Sequence, residues 1–352
     1  MATEARAEPI RPRRDVLQLL VPSLGLVLVG VVLAWLLVNL AKSPDAFFRV
    51  LFIGITVGAL YALVALGYSL VYGILELINF AHGDVFMLGG MMTTAVLLDA
   101  FGLGESPSIG SLAPAIVAAL AVAMVGCGLL NATIERVAYK PLRHAPRLAA
   151  LITAIGMSFI VQDIALVWKG SQSIAVPNVL PKGHIFQIGE VEYRWNQLIV
   201  LIITVPVLLG LVYLVQFTRQ GKAMRATAQD RDAAAMMGID VDRTISFTFL
   251  VAGCLAGAAG VVFVTYTESV RFDTGFQLGL IAFTSAVLGG IGNLPGAVLG
   301  GLLIGLIQAF NEGLSWYAPG PNWTQSIVFT ILILILVFRP QGLLGERTPE
   351  GG

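Results

Sequence analysis

Long uncharged stretches recur along this chain, at 16–40, 50–75, 112–134, 195–218, 244–267, 274–311 and 313–338. Most exceed the roughly 20 residues that a helix needs to cross hydrocarbon. Only 12% of the residues are charged and 57% are apolar, whereas a soluble globular chain carries roughly twice that charged fraction. A membrane β-barrel would instead show short segments of alternating polarity. The expected fold class is therefore all-α: a polytopic membrane protein with about 8–10 transmembrane helices, some broken or re-entrant.

The 21 Lys and Arg residues are unevenly placed. Fifteen fall in four groups: Arg6, Arg11, Arg13 and Arg14; Arg136, Lys140, Arg143 and Arg147; Arg219, Lys222, Arg225, Arg231 and Arg243; Arg339 and Arg347. The other six are Lys42, Arg49, Lys169, Lys182, Arg194 and Arg271. Placing the four groups inside reproduces the positive-inside asymmetry and puts both termini in the cytoplasm. Ten crossings then satisfy parity: 16–40, 50–75, 85–98, 112–134, 148–168, 197–217, 244–267, 276–292, 296–311 and 323–338. Eight crossings with a re-entrant hairpin at 276–311 satisfy it equally. The first run is too long for a signal-peptide core and lacks a small-residue cleavage site, so it reads as a retained span. Cys127 and Cys254 lie inside spans and read as small apolar packing residues. The GxxxG spacings at Gly54/Gly58, Gly253/Gly257, Gly296/Gly300 and Gly301/Gly305 permit close helix approach, chiefly within the chain.

Two places break the pattern. The first follows the run 50–75, where Glu76, Asn79, His82 and Asp84 arrive within nine residues. Ionisable groups at that depth are costly and mark a pathway or a helix break. The apolar segment after them, 85–98, is only about 21 Å long as a helix. Asp84 reads first as the cap of that helix, or else as a group lining a path. His82 reads as packed beside the break rather than as a titrating switch. Asn79 is suited either to broken backbone or to a zwitterionic solute. Tyr61 and Tyr72 precede the break on the same span, and core packing is the default for both. The second break is Gly289, Gly290, Gly292, Asn293 and Pro295 in GGIGNLPG, whose freed backbone must be buried or line water. Short or interrupted segments in both halves point to a transport path.

Between 218 and 243 the chain turns densely charged. Residues 223–237 lack Gly and Pro and predict one short helix, with Gly238 as its C-terminal stop. Its apolar Ala233, Ala234, Met236 and Met237 suit docking into a partner's groove.

Asp232, Ala233 and Ala234 followed by Gly238 resemble the EAA…G coupling loop of ABC importer permeases, with Asp in place of Glu. Tyr72–Gly73, the run INFAHGD at 78–84, Met87–Leu88–Gly89, AVLGGIGNLPGA at 286–297 and RPQGLLG at 339–345 resemble the LivH-type permease of branched-chain amino acid importers. The resemblance runs from about residue 50 to 345. It implies one transmembrane permease domain over 16–345, with the coupling loop at 218–243, between cytoplasmic tails 1–15 and 346–352. It also implies the bacterial inner membrane and four kinds of partner: a second, LivM-like permease, two cytoplasmic ABC ATPases, an extracytoplasmic substrate-binding protein and an amino-acid substrate. On this reading Arg225, Asp232, Ala233 and Gly238 touch the ATPase, and Asn79, His82, Asp84, Tyr61 and Tyr72 line the substrate path. The sequence has no G-x-x-x-x-G-K-[ST] phosphate loop, so ATP hydrolysis belongs to a partner and no cofactor or enzymatic activity is expected here. A urea or short-amide permease is the related alternative. An ion-coupled secondary transporter is the unrelated one, with Asp84 and His82 as a proton relay.

Overall fold

A computed structural model describes residues 16–345, apart from 105–106, 144, 178–179, 181–182 and 189–190. The two tails, with Arg6, Arg11, Arg13, Arg14 and Arg347, and also Lys182, lie outside the described residues.

The apolar runs become helices α1 (Val16–Lys42), α2 (Pro44–Leu75), α3 (Ala81–Thr94), α4 (Ile109–Ile134), α5 (Arg147–Lys169) and α6 (Trp195–Phe217). The charged loop forms α7 (Arg219–Gln229) and α8 (Arg231–Met236). The chain closes with α9 (Val241–Thr267), α10 (Thr274–Gly289), α11 (Leu294–Gly313) and α12 (Thr324–Phe338). Among the described residues, eight helices are long and apolar enough to cross a bilayer, and Val29–Lys42 and Thr274–Gly289 are shorter apolar helices. Among the described residues, strand is confined to a hairpin of His184–Ile188 with Val191–Arg194 and a short pairing of Ile174–Ala175 with Ser269–Val270.

α2, α3 and α9 form the buried centre, whereas α5, α6 and α12 turn most of their surface outward. With no hydrophobic drive between helices in lipid, close backbone approach sets the packing. The GxxxG glycines supply it within the chain. A Cβ added at Gly58 would sit 2.7 Å from the Leu302 Cα, and Gly301 and Gly305 face Ala62 and Gly58, so α2 and α11 cross backbone to backbone. Gly253 and Gly257 meet Cys127, Gly128 and Ala123, which seats α9 on α4. Gly300 meets Ser285 and Gly296 meets Gly289, folding α10 and α11 into an antiparallel hairpin. Both cysteines are free, and the Cys127 thiol donates to the Val85 carbonyl at 3.2 Å.

Two local expectations are corrected. The helix expected over 85–98 begins at Ala81 and continues through a π-helical turn to Ala100. His82 and Asp84 are buried inside it against neighbouring helices, so their polarity does not end the helix. The single helix expected over 223–237 is two, because Asp230 leaves helical geometry and caps α8, accepting from the amides of Asp232 and Ala233 at 2.9 Å. An Asp can start a new helix wherever its carboxylate takes the free N–H groups.

Candidate functional site

The break after α2 opens at Glu76, which takes left-handed backbone as the C-cap, with its N–H on the Tyr72 carbonyl at 2.7 Å. Backbone irregular at this depth needs polar partners from protein; the Asn79 carbonyl accepts from the His82 amide at 3.1 Å, and the Asn79 side chain bonds other side chains. Its side chain, 1% exposed, donates to Asn131 Oδ1 at 3.3 Å and accepts from the Tyr139 hydroxyl at 3.0 Å. Asn131 in turn donates to the Phe249 carbonyl at 2.6 Å. Asn79 thus belongs to a polar knot that ties the break to α4 and α9.

His82 is fully buried, with its ring edge-on to Tyr68 at 4.8 Å between centroids. The ring lies where a Cβ on residue 67 would go, so Gly67 makes room for it. Its two nitrogens have no hydrogen-bond partner among the described residues. Asp84 is not a cap. It is the fourth residue of α3, and its carboxylate accepts from Ser158 Oγ and from Gln162 Nε2, the latter at 3.1 Å. Asp84 therefore clamps α3 to α5. Tyr61 donates to Gln308 at 2.6 Å, and Gln308 donates to Glu312 at 3.1 Å, joining α2 to α11. Tyr72 is half-buried and lines neither of the two cavities described below.

The second break holds the expected glycines and asparagine. Asn293 caps α11 by accepting from the Gly296 amide at 2.9 Å, and its side-chain amide donates to the Leu344 carbonyl at 2.9 Å. The Leu343 and Leu344 amides donate to the carbonyls of Leu288 and Gly289, each at 2.9 Å. The segment 339–345 is therefore docked on the end of α10, and Gly290, at φ 110°, lies against Gly345 and Gly342. Gly292 passes Gly73 of α2, and Pro295 stands in the first turn of α11.

In the charged loop, Thr218 caps α7 by accepting from the Gly221 amide at 3.0 Å. Arg225 donates back to the Val215 carbonyl, and Arg231 donates to the Ile74 carbonyl at 2.6 Å. At the end of α8, the Gly238 amide bonds to the Ala235 carbonyl at 3.0 Å and the Ile239 amide to Ala234 at 3.1 Å. That is a Schellman stop with Gly238 at φ 83°. Asp232, Met236 and Met237 are exposed, the two methionines by 82% and 83%, while Ala233 is half-buried.

One set of residues was not singled out from the sequence. Glu135, fully buried, accepts from Arg143 and from Ser246 Oγ at 2.6 Å. Arg143 also pairs with Asp242, which Lys140 reaches at 2.9 Å. The only available signal was an acid placed directly after a long apolar run. These bonds, with Arg231 on Ile74 and Leu343 on Leu288, gather three of the cationic segments at one end of the bundle.

Two of the cavities among the described residues lie at opposite ends of α2 and α6. The larger, about 720 Å³, lies between α2 and α6, with Met224, Arg225 and Ala228 of α7 and Asn293 and Pro295 of the second break at its charged-loop end. The smaller, about 490 Å³, lies at the opposite end and is lined by Arg49, Glu192, Arg194, Asn196, Gln197 and Tyr266. Of the sequence-selected residues, Arg225, Asn293, Pro295 and Gly292 meet at the larger cavity, whereas Asn79, His82, Asp84 and Tyr61 sit elsewhere in the core. Among the described residues no group of three or more His, Cys, Asp or Glu side chains is placed to hold a metal.

The model of the family described as "Branched-chain amino acid transport system / permease component" matches residues 50–337. The chain is 38% identical over 302 residues to the high-affinity branched-chain amino acid transport system permease protein BraD of Pseudomonas aeruginosa, across 84% of this chain and 95% of that one. It is 36% identical over 307 residues to the permease protein LivH of the same kind of system in Salmonella typhimurium, across 86% and 97%. The fructose import permease protein FrcC of Rhizobium meliloti is 26% identical over 217 residues, 59% of this chain and 57% of the relative. No solved structure matches the chain.

Proposed function

The chain belongs to the branched-chain amino acid transport system permease family, and from that membership we propose that it is the path-forming subunit of an ABC importer for branched-chain or related hydrophobic amino acids. Its partners are a second, LivM-like permease, two cytoplasmic ATPases and an extracytoplasmic binding protein. It sits in the bacterial inner membrane with both termini and the charged-loop end in the cytoplasm, in line with the positive-inside rule. The chain does no chemistry of its own, and ATP is used by the partners.

One observation carries this reading. α7 closes one end of the larger cavity with Met224, Arg225 and Ala228. The same unit presents the exposed faces of Asp232, Met236 and Met237 away from the bundle. A partner that seats on α8 and moves it therefore moves the cavity floor through α7. Asp232, Ala233 and Gly238 are the coupling contacts. Arg225 takes part from the inner side, since its guanidinium is bonded to the end of α6.

The test is co-expression of the tagged chain with its neighbouring genes, followed by purification in detergent and by uptake in vesicles. Retention of an ATPase, lost when 232–238 is replaced, together with leucine uptake driven by ATP, establishes the importer. Uptake driven by a pH gradient without an ATPase overturns it.

A further inference from the structure

One carboxylate of the spanning helices points away from the bundle. On α5, Ala154, Ser158, Val161 and Ala165 are buried, whereas Ile152, Gly156, Phe159, Ile160, Asp163 and Val167 are exposed. Spacings of three, four and seven put each set on one side of the helix. The Asp84 carboxylate fixes this rotation, because it accepts from Ser158 and Gln162 on the inner side. Asp163 follows Gln162 and is turned outward.

Among the described residues the Asp163 carboxylate has no hydrogen-bond or ion-pair partner, and Lys169, the cation nearest to it along the helix, pairs with Asp99 at 2.8 Å. Asp163 lies about 9 Å along the axis from Lys169. Trp168, of a type that marks the membrane interface, stands between it and that end. An Asp side chain is too short to snorkel over that distance as Lys and Arg do. Ionisable groups so placed face protein or water rather than lipid. The cation that complements this carboxylate has to come from outside the chain.

The rest of the face is apolar. Ile152, Phe159 and Ile160 lie on the charged-loop side of Asp163, and Gly156 leaves a notch two turns from it, with no atom of a neighbouring element within 4 Å of where a Cβ would stand. A carboxylate beside an apolar strip suits an amino acid that holds its α-ammonium on the acid and its branched side chain along the strip.

We propose that the outward face of α5 is the wall that this chain gives to the translocation path at its seam with the second permease, and that the Asp163 carboxylate receives the α-ammonium group of the passing amino acid. The proposal rests on the amino-acid importer reading above.

The experiment uses the assembled complex in vesicles, with Cys127→Ala and Cys254→Ala as the parent and leucine as the solute. Ile160→Cys, one turn from Asp163, is labelled with a cationic and with an anionic methanethiosulfonate. Ile202→Cys, exposed on α6 at a similar depth, is the lipid-facing control, since a thiol in lipid does not form the reactive thiolate. With ATP and loaded binding protein, Ile160→Cys should label severalfold faster with the cationic reagent and slow severalfold at saturating leucine. Adding Asp163→Asn should remove the preference for the cation with the complex still assembled. p-Benzoylphenylalanine placed at Phe159 should crosslink to the second permease, and placed at Ile202 it should not. A transporting complex whose Ile160→Cys never labels, or whose Ile202→Cys is the one that leucine protects, overturns the wall. Absence of the Phe159 crosslink overturns the seam. A charge preference that survives Asp163→Asn, or labelling indifferent to leucine, overturns the ammonium contact. A wild-type complex without a second permease, or without ATP-driven leucine uptake, overturns the importer reading itself.

Discussion

The guanidinium of Arg231 donates to the carbonyl oxygen of Ile74 at 2.6 Å, bonding the first residue of α8 to the last turn of α2. That carbonyl is one of the four that a helix leaves free at its C-terminus. A displacement of α8 is thereby passed directly to the central helix, beside the first break. Removing a charged donor from such a bond costs about 1.5–3 kcal/mol. Arg231→Ala should leave the ATPase bound but reduce leucine uptake per ATP hydrolysed by about tenfold, measured as both rates in one vesicle preparation. Equal loss of both rates would point to assembly instead.

Gly238 tests the stop of α8. Its φ of 83° has open space around the missing side chain, so the penalty of a substitution is conformational, about 1–2 kcal/mol. Gly238→Asn should retain most uptake, because Asn tolerates the left-handed region, and Gly238→Val should lose it with the purified complex still formed. Uptake assays on the two variants decide the order.

Glu135 and Arg143 form a buried pair at the charged-loop end, with side-chain exposures of 0% and 11%. Removing one partner of such a pair costs about 3–5 kcal/mol. Glu135→Ala should fall toward the lower bound, since Asp242 still holds the guanidinium. The double variant Glu135→Ala/Arg143→Met should unfold later than Glu135→Ala alone in a thermal melt of the purified protein.

Gly290→Ala drives a methyl into the Gly345 backbone at a left-handed position. The expected outcome is release of 339–345 from α10, read as faster hydrogen exchange at the Leu343 and Leu344 amides with the amides of α2 unchanged.

Asp84→Asn preserves an acceptor for Ser158 or Gln162, and Asp84→Leu removes the acceptor of the Ser158 hydroxyl and leaves Gln162 only its 3.4 Å bond to Ser158 Oγ, at about 1–3 kcal/mol. The first should keep ATP-driven uptake that is indifferent to a protonophore, and the second should lower the melting temperature. Loss of uptake in Asp84→Asn with the fold intact would restore the carboxylate to the path.

The membrane-spanning pattern was legible because it rests on run length and charge, and both breaks were legible because glycine, proline and clustered polar residues announce them. Positions of partners were not. His82 and Asp84 looked like a boundary because their burial depends on Gly67 below the ring and on Ser158 and Gln162 across on α5, some 75 residues away. The division of α7 from α8 has no Gly or Pro to mark it, although Asp230, three residues ahead of Ala233–Ala235, carried a capping signal. GGIGNLPG and RPQGLLG read as separate motifs, yet they are two sides of one contact. The cavities are products of packing between distant helices and leave no local trace.

The docking of 339–345 on α10 also fixes an order of events during synthesis. Among the described residues, the carbonyls of Leu288 and Gly289 accept from the amides of Leu343 and Leu344, residues made more than fifty positions later. Until the ribosome has passed them, the hairpin of α10 and α11 carries open acceptors at its tip. A chain cut after α12 would leave both of these carbonyls without the partners that the full chain gives them.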